Sequence, residues 1–209
     1  MIIEVCAESY EYAVKAEKAG ADRIELCKDL HLDGLTPDYE SAKKTIDSLN
    51  IPVFILIRPR AGDFIYSDEE FELMKQDILK FKEMGCKGIV SGVLNNDKSI
   101  DIERTQELVE LSKPLEFTFH RAFDIVSSPL NEIENLIRLG VDRVLTSGQK
   151  DKAIDGLDLL LKLKNISKNR LVIMPGSGIS KNNLKNFELF NEIHGSFKDE
   201  INSSIFKFH

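Results

Sequence analysis

The feature that most constrains this chain is a repeated pattern: a short β-rich run, then a segment of helical period, over and over along the whole length. Eight β-rich runs can be read, at residues 2–6, 23–27, 53–57, 88–94, 115–120, 143–146, 171–174 and 192–196. The third, Val53-Phe54-Ile55-Leu56-Ile57, is continuously apolar, as a strand covered on both faces of a parallel sheet must be. Between the runs lie helical segments with their own punctuation. Ser9 opens the first and Gly20 stops it, residues 38–49 form the second, and Ser67-Asp68-Glu69-Glu70 is a capping-box start for a third that reaches Met84 before Gly85. Residues 101–112 form the fourth, the fifth carries Pro129 in its first turn and ends at Gly140, and Leu157, Leu160, Leu161 and Leu163 stripe the sixth. A short seventh is expected after Ser180. One strand-helix unit repeated eight times fits a (β/α)8 TIM barrel better than a doubly wound open sheet. The eighth helix has only residues 197–209 to form from, so a short or irregular tail is expected there.

No linker or shift of composition divides the 209 residues, so a single domain over 1–209 is expected. Three cysteines, Cys6, Cys27 and Cys86, do not make a disulfide framework, and reduced thiols are the expectation. The start, Met1-Ile2-Ile3-Glu4-Val5, lacks the basic and apolar regions of a signal peptide, and no apolar run is long enough to span a membrane. The expected location is the cytoplasm. A net charge of −7 argues against nucleic-acid or anionic-membrane partners, so any cationic site must be local.

In a barrel, chemistry collects at the C-terminal ends of the strands. Strand three ends there in Arg58-Pro59-Arg60-Ala61-Gly62-Asp63-Phe64, with Pro59 ending the strand and holding two guanidinium groups just beyond the sheet. The first strand ends with Glu4 and Cys6, the second with Glu25 and Cys27. Alternation puts each pair on one side of its strand, in equivalent places on neighbours. Ionised carboxylates inside a barrel need partners, and Arg58 and Arg23 are the natural ones for Glu4 and Glu25. Strand five ends at His120-Arg121-Ala122-Phe123-Asp124, strand six at Thr146-Ser147-Gly148, strand seven at Pro175-Gly176-Ser177-Gly178 and strand eight at His194-Gly195-Ser196. A Gly-rich turn after strand seven is where barrels commonly hold a phosphate.

Two functions of different class follow. The first is an enzyme of the lyase, isomerase or hydrolase kind acting on a small anionic or phosphorylated metabolite. Arg58, Arg60 and Arg121 with the Gly176 to Gly178 turn would bind the anion, Ser147 and His194 lie at the same face, and Glu4, Glu25, His120 or Asp124 would move protons. The second is a soft-metal binder in which Cys6 and Cys27 are thiolate ligands and His120 or His194 adds an imidazole, a donor set for monovalent copper or zinc. Three arginines suit an anion; two neighbouring cysteines suit a metal. Each cysteine taken alone also reads as a small buried hydrophobe, and Cys86 reads as core.

The segments Glu4-Val5-Cys6, Gly20 to Cys27, Gly34-Leu35-Thr36-Pro37, Ile57-Arg58-Pro59-Arg60, Gly62-Asp63-Phe64, Thr118 to Asp124, Leu145-Thr146-Ser147-Gly148 and His194-x-Ser196 together resemble the CutC family. The resemblance runs from Met1 to about Ser196. It implies a cytoplasmic TIM barrel, dimeric or tetrameric, associated with copper homeostasis, with Cys6 and Cys27 as the positions for monovalent copper. Asp33, Ala61 and Ser177 stand where that family often has glycine, and Phe197 replaces a small residue. Phe197 implies a packed tail, with Ile205, Phe206 and Phe208 contributing.

Overall fold

In a computed structural model, which describes residues 1–198 and 201, the chain forms a single eight-stranded parallel sheet. The strands are β1 (Ile2–Ala7), β2 (Arg23–Leu26), β3 (Val53–Leu56), β4 (Gly88–Ser91), β5 (Glu116–Phe119), β6 (Arg143–Thr146), β7 (Val172–Pro175) and β8 (Glu192–Gly195). Their order is β7-β6-β5-β4-β3-β2-β1-β8, so sequential strands are neighbours, and β8 returns to pair with β1. A parallel bridge between Gly176 and His194 brings the β7 and β8 edges together. The (β/α)8 expectation is met: this is a nearly closed TIM barrel.

Among the described residues six α-helices cover the outside: α1 (Tyr10–Ala19), α2 (Tyr39–Ser48), α3 (Asp68–Met84), α4 (Ile102–Ser112), α5 (Pro129–Leu139) and α6 (Leu157–Ser167). Their ends follow the local chemistry. The Ser9 hydroxyl accepts the Tyr12 N–H to open α1, Ser67 and Glu70 form a reciprocal capping box on α3, and Gly20, Gly85 and Gly140 close their helices in left-handed conformations. The seventh helix does not form. Residues 181–187 alternate lysine and asparagine around Leu184 and Phe187, with no apolar stripe, and make only a 3-10 turn (Leu184–Phe187). The expected irregular tail begins with Phe197 and Ile201, both buried; Ile205, Phe206 and Phe208 lie outside the described residues.

Strand alternation sorts the barrel into two interiors. Ile3, Val5, Ala7, Ile24, Leu26, Val53 and Ile55 point outwards into the large apolar layer between sheet and helices, which also holds Cys86. Cys6, Cys27, Phe54, Leu56 and Val90 form a separate small cluster inside the barrel. The remaining interior is charged. On its floor Arg23 pairs with Glu4 and Glu192, and Arg143 pairs with Glu116 and, at 3.0 Å, with Glu192. The Phe54 ring lies beneath both guanidinium groups, 4.7 Å from that of Arg23 and 5.1 Å from that of Arg143.

Candidate functional site

A cavity of ≈ 360 Å³ opens at the C-terminal mouth of the barrel, directly above the charged floor. Its polar lining comes from Cys6 and Glu25 at its base, Arg58, His120, Arg121 and Asp124 along one wall, and His194 opposite; Leu30, Leu56, Phe64 and Leu145 supply apolar surface. These side chains converge because they sit at inward positions at the ends of five different strands.

The register of β1 on β2 sets Cys6 opposite Glu25, and Cys27 follows just past the end of β2. The Cys6 sulfur therefore lies 3.5 Å from Glu25 Oε1 and 3.5 Å from the Cys27 sulfur. Both cysteines are buried and neither is in a disulfide. The contact with Cys27, with burial and the Glu25 charge added, holds the Cys6 thiol well above the ordinary thiol pKa. Burial likewise raises the Glu25 carboxyl. Glu25 Oε2 has no hydrogen-bond partner.

Glu4 lies beneath these groups, fully buried. Burial would raise its pKa, but the charge of Arg23 and the hydrogen bond from His194 outweigh it and bring it down to about 2. Its Oε1 takes His194 Nδ1 at 2.8 Å. Burial would lower the His194 pKa, yet the charge of Glu25 and the bond to Glu4 lift it above the ordinary imidazole value. Cys6, Glu25 and His194 offer three ligand atoms within 4.8 Å of one another.

His120 is built differently. Its Nδ1 accepts the Ala122 N–H at 3.3 Å, so the ring proton resides on Nε2, and that buried Nε2 has no partner. Burial, followed by the Arg58 charge, pushes its pKa down to about 3, which keeps the ring neutral. The ring packs on Phe64 with centroids 4.8 Å apart, and the Arg58 guanidinium lies over Phe64, 5.0 Å from its ring centroid.

Several residues take places other than those expected. Arg58 pairs with no carboxylate among the described residues; it donates to the backbone carbonyls of Leu32, Gly34 and Gly62. Arg60 turns away from the cavity to Glu70 and Asp63, over the Tyr66 ring. Asp124 lines the cavity, but its oxygens are occupied by Arg121, Thr146, Ser147 and Gln149, so it holds the wall in place. Ser147 serves the same network. Gly176 and Gly178 lie behind the cavity, Gly178 packed under the Lys152 side chain, and only Ser177 of that turn faces in. Phe64 and Glu192 are the contributors that sequence reasoning missed. Glu192 had one signal, its two-residue offset from His194 on β8, which puts both inside the barrel.

Comparison with known proteins decides the lineage. The family model described as "CutC family" matches residues 1–199. The chain belongs to the CutC family. A human copper homeostasis protein cutC homolog is 48% identical over 184 residues, covering 88% of this chain and 67% of that protein, and a CutC family protein of Pasteurella multocida is 45% identical over 88% of this chain and 75% of its own length. The crystal structure of CutC from Streptococcus agalactiae superposes with a TM-score of 0.89 at 31% identity, covering 94% of this chain and 98% of that one. An aldolase, QR15, superposes at a TM-score of 0.71 and 13% identity, a likeness of fold alone. Two of the three positions where glycine was the expectation have a backbone that suits it: Asp33 (φ 64°) and Ser177 (φ 81°) both adopt left-handed conformations. Ala61 does not share it.

Proposed function

We propose that this protein takes part in copper homeostasis by binding monovalent copper at Cys6 and Cys27, in a reducing compartment such as the cytoplasm. The observation that carries the reading is the 3.5 Å approach of the two sulfurs at the base of the cavity. Thiolates are soft donors that favour monovalent copper. The residues present fit such an ion. Two thiolates on opposite sides of one ion, each about 2.3 Å from it, would stand ~4.6 Å apart, taking the zinc–thiolate length as a guide. At 3.5 Å the pair instead leaves one side of a shared ion open, towards the cavity. There Glu25 and His194 are the next donors, and Glu4 holds His194 Nδ1 so that Nε2 is the ligand atom.

The test is a competition titration with a chromophoric copper(I) chelator under strict anaerobic reduction. One ion per chain is expected for the wild type, undisturbed by equimolar zinc, with binding lost in the Cys6→Ser, Cys27→Ser double variant. Unchanged affinity in that double variant would sink the proposal.

A further inference from the structure

Among the described residues three arginines are buried, and two of them are neutralised. Arg23 and Arg143 each meet two carboxylates on the barrel floor. Arg58, equally buried, meets no carboxylate among the described residues: it donates to carbonyl oxygens, with the Tyr66 hydroxyl beside it. A buried cation without a counter-charge is costly, and backbone dipoles offset only part of that cost. Its three bonds use both Nη1 hydrogens and one on Nη2, leaving Nε–H and one Nη2–H. Nε is buried and without a partner, as is His120 Nε2, and both residues line the same wall of the same cavity.

We propose that this wall is a binding site for a small organic monocarboxylate, held by the free edge of the Arg58 guanidinium and by His120 Nε2–H, independently of any metal. The Arg58 fork matches a carboxylate. The neutral imidazole, already committed through Nδ1 to Ala122, presents a fixed N–H donor. Charge selects a monoanion. Inside the cavity Arg121 is paired with Asp124 and His194 with Glu4, which leaves Arg58 as the cation that meets no carboxylate; Glu25 lies at the base beside Cys6 and Asp33 at the exposed rim. Phosphate is disfavoured because only Ser177 of the turn expected to cradle it lines the cavity and no α-helix follows it. Leu30, Leu56 and Leu145 offer an apolar surface for the ligand's carbon skeleton.

The experiment uses chelator-treated protein with nitrogen-15-labelled histidine. It is titrated with acetate, butanoate, hexanoate and, separately, inorganic phosphate, at ionic strength held constant with sodium chloride. The expected result is a saturable shift of the His120 Nε2 and its proton, assigned by their loss in His120→Asn, with affinity rising from acetate to hexanoate. His120→Asn keeps an acceptor for the Ala122 N–H but loses the donor, and Arg58→Lys keeps the charge but loses the fork. By thermal shift each is expected to weaken hexanoate binding roughly 10- to 100-fold, the value of one charge-assisted hydrogen bond. A linear response to every anion, or saturable binding of phosphate ahead of the carboxylates, overturns the proposal. The order of wild-type affinities, hexanoate above acetate and both above phosphate, stands whether or not either variant folds, and because no metal is present its outcome is separate from that of the copper titration.

Discussion

The neutral state of His120 makes a quantitative prediction about acid stability. The perturbation is His120→Asn, whose side-chain oxygen replaces Nδ1 as acceptor for the Ala122 N–H. In the folded protein the His120 pKa is depressed from 6.5 to about 3. The unfolded chain therefore takes up the proton first as pH falls, and the wild type loses stability from pH 6.5 downwards, the loss ending near pH 3. At pH 4.5 that loss amounts to roughly 2–3 kcal/mol relative to pH 7.5, at about 1.4 kcal/mol per pH unit. Glu4, with its folded pKa near 2, loses its contribution mainly below its ordinary 4.5. Glu25 and His194 have raised values in the folded state, so neither loses stability as pH falls through this window. All three groups are common to both proteins and drop out of the comparison. Urea unfolding monitored by circular dichroism at pH 7.5, 6.0, 5.0 and 4.5 should show the two midpoints converging on acidification, by about 1 M urea in total. Loss of the Phe64 contact lowers the variant's whole curve but not its slope. Parallel midpoint curves would refute the reasoning, because they would mean that the His120 ring takes a proton in the folded protein as readily as in the unfolded chain.

Two further predictions concern the frame around the site. Arg23→Met strips Glu4 of its cation and Glu192 of one of two, and should cost roughly 3–5 kcal/mol in denaturant unfolding at pH 7, with much of the loss recovered by adding Glu4→Gln. Gly156→Ala sets a methyl 2.0 Å from the Ser147 carbonyl oxygen, a backbone atom that cannot swing aside; a melting temperature lowered by several degrees is expected, whereas an unchanged one would show that the β6 loop is softer than its packing implies.

How much of this was legible in the sequence depended on whether a feature is local. The eight strands and the caps of α1, α3 and α5 follow from neighbours along the chain, and they emerge within a residue or two of expectation, except that β4 ends three residues early, at Ser91. The inward pairing of Glu4 with Cys6 and of Glu25 with Cys27 also follows from alternation. The 3.5 Å sulfur contact does not, because it depends on the register that sets Cys6 against Glu25. The expected pairing of Arg58 with a barrel carboxylate fails for a related reason. Whether a guanidinium meets a carboxylate or three carbonyls depends on where the loops at 32–34 and 61–65 fold back, and loop paths leave little trace in residue type. The seventh helix failed on a local ground that composition did carry: residues 181–187 have only Leu184 and Phe187 to bury, too few for a stripe along several turns.

The two layers of charge inside the barrel point to a division of labour. On the floor every guanidinium has its carboxylates and the Phe54 ring is held beneath two of them, so that layer is electrostatically closed and rigid. One step towards the mouth the accounts stay open: Glu25 Oε2, Arg58 Nε and His120 Nε2 are all buried and unmade. Unsatisfied buried polar atoms cost stability wherever they occur, on the order of 1–3 kcal/mol each. Of the five such atoms among the described residues, Tyr66 Oη and Thr105 Oγ1 lie outside the lining of the cavity, while the other three gather on residues that line it. Their position, directly above a thiol pair and at the end of the barrel where strand ends converge, is what ligands would complete, an ion from the sulfur side and an anion from the arginine side.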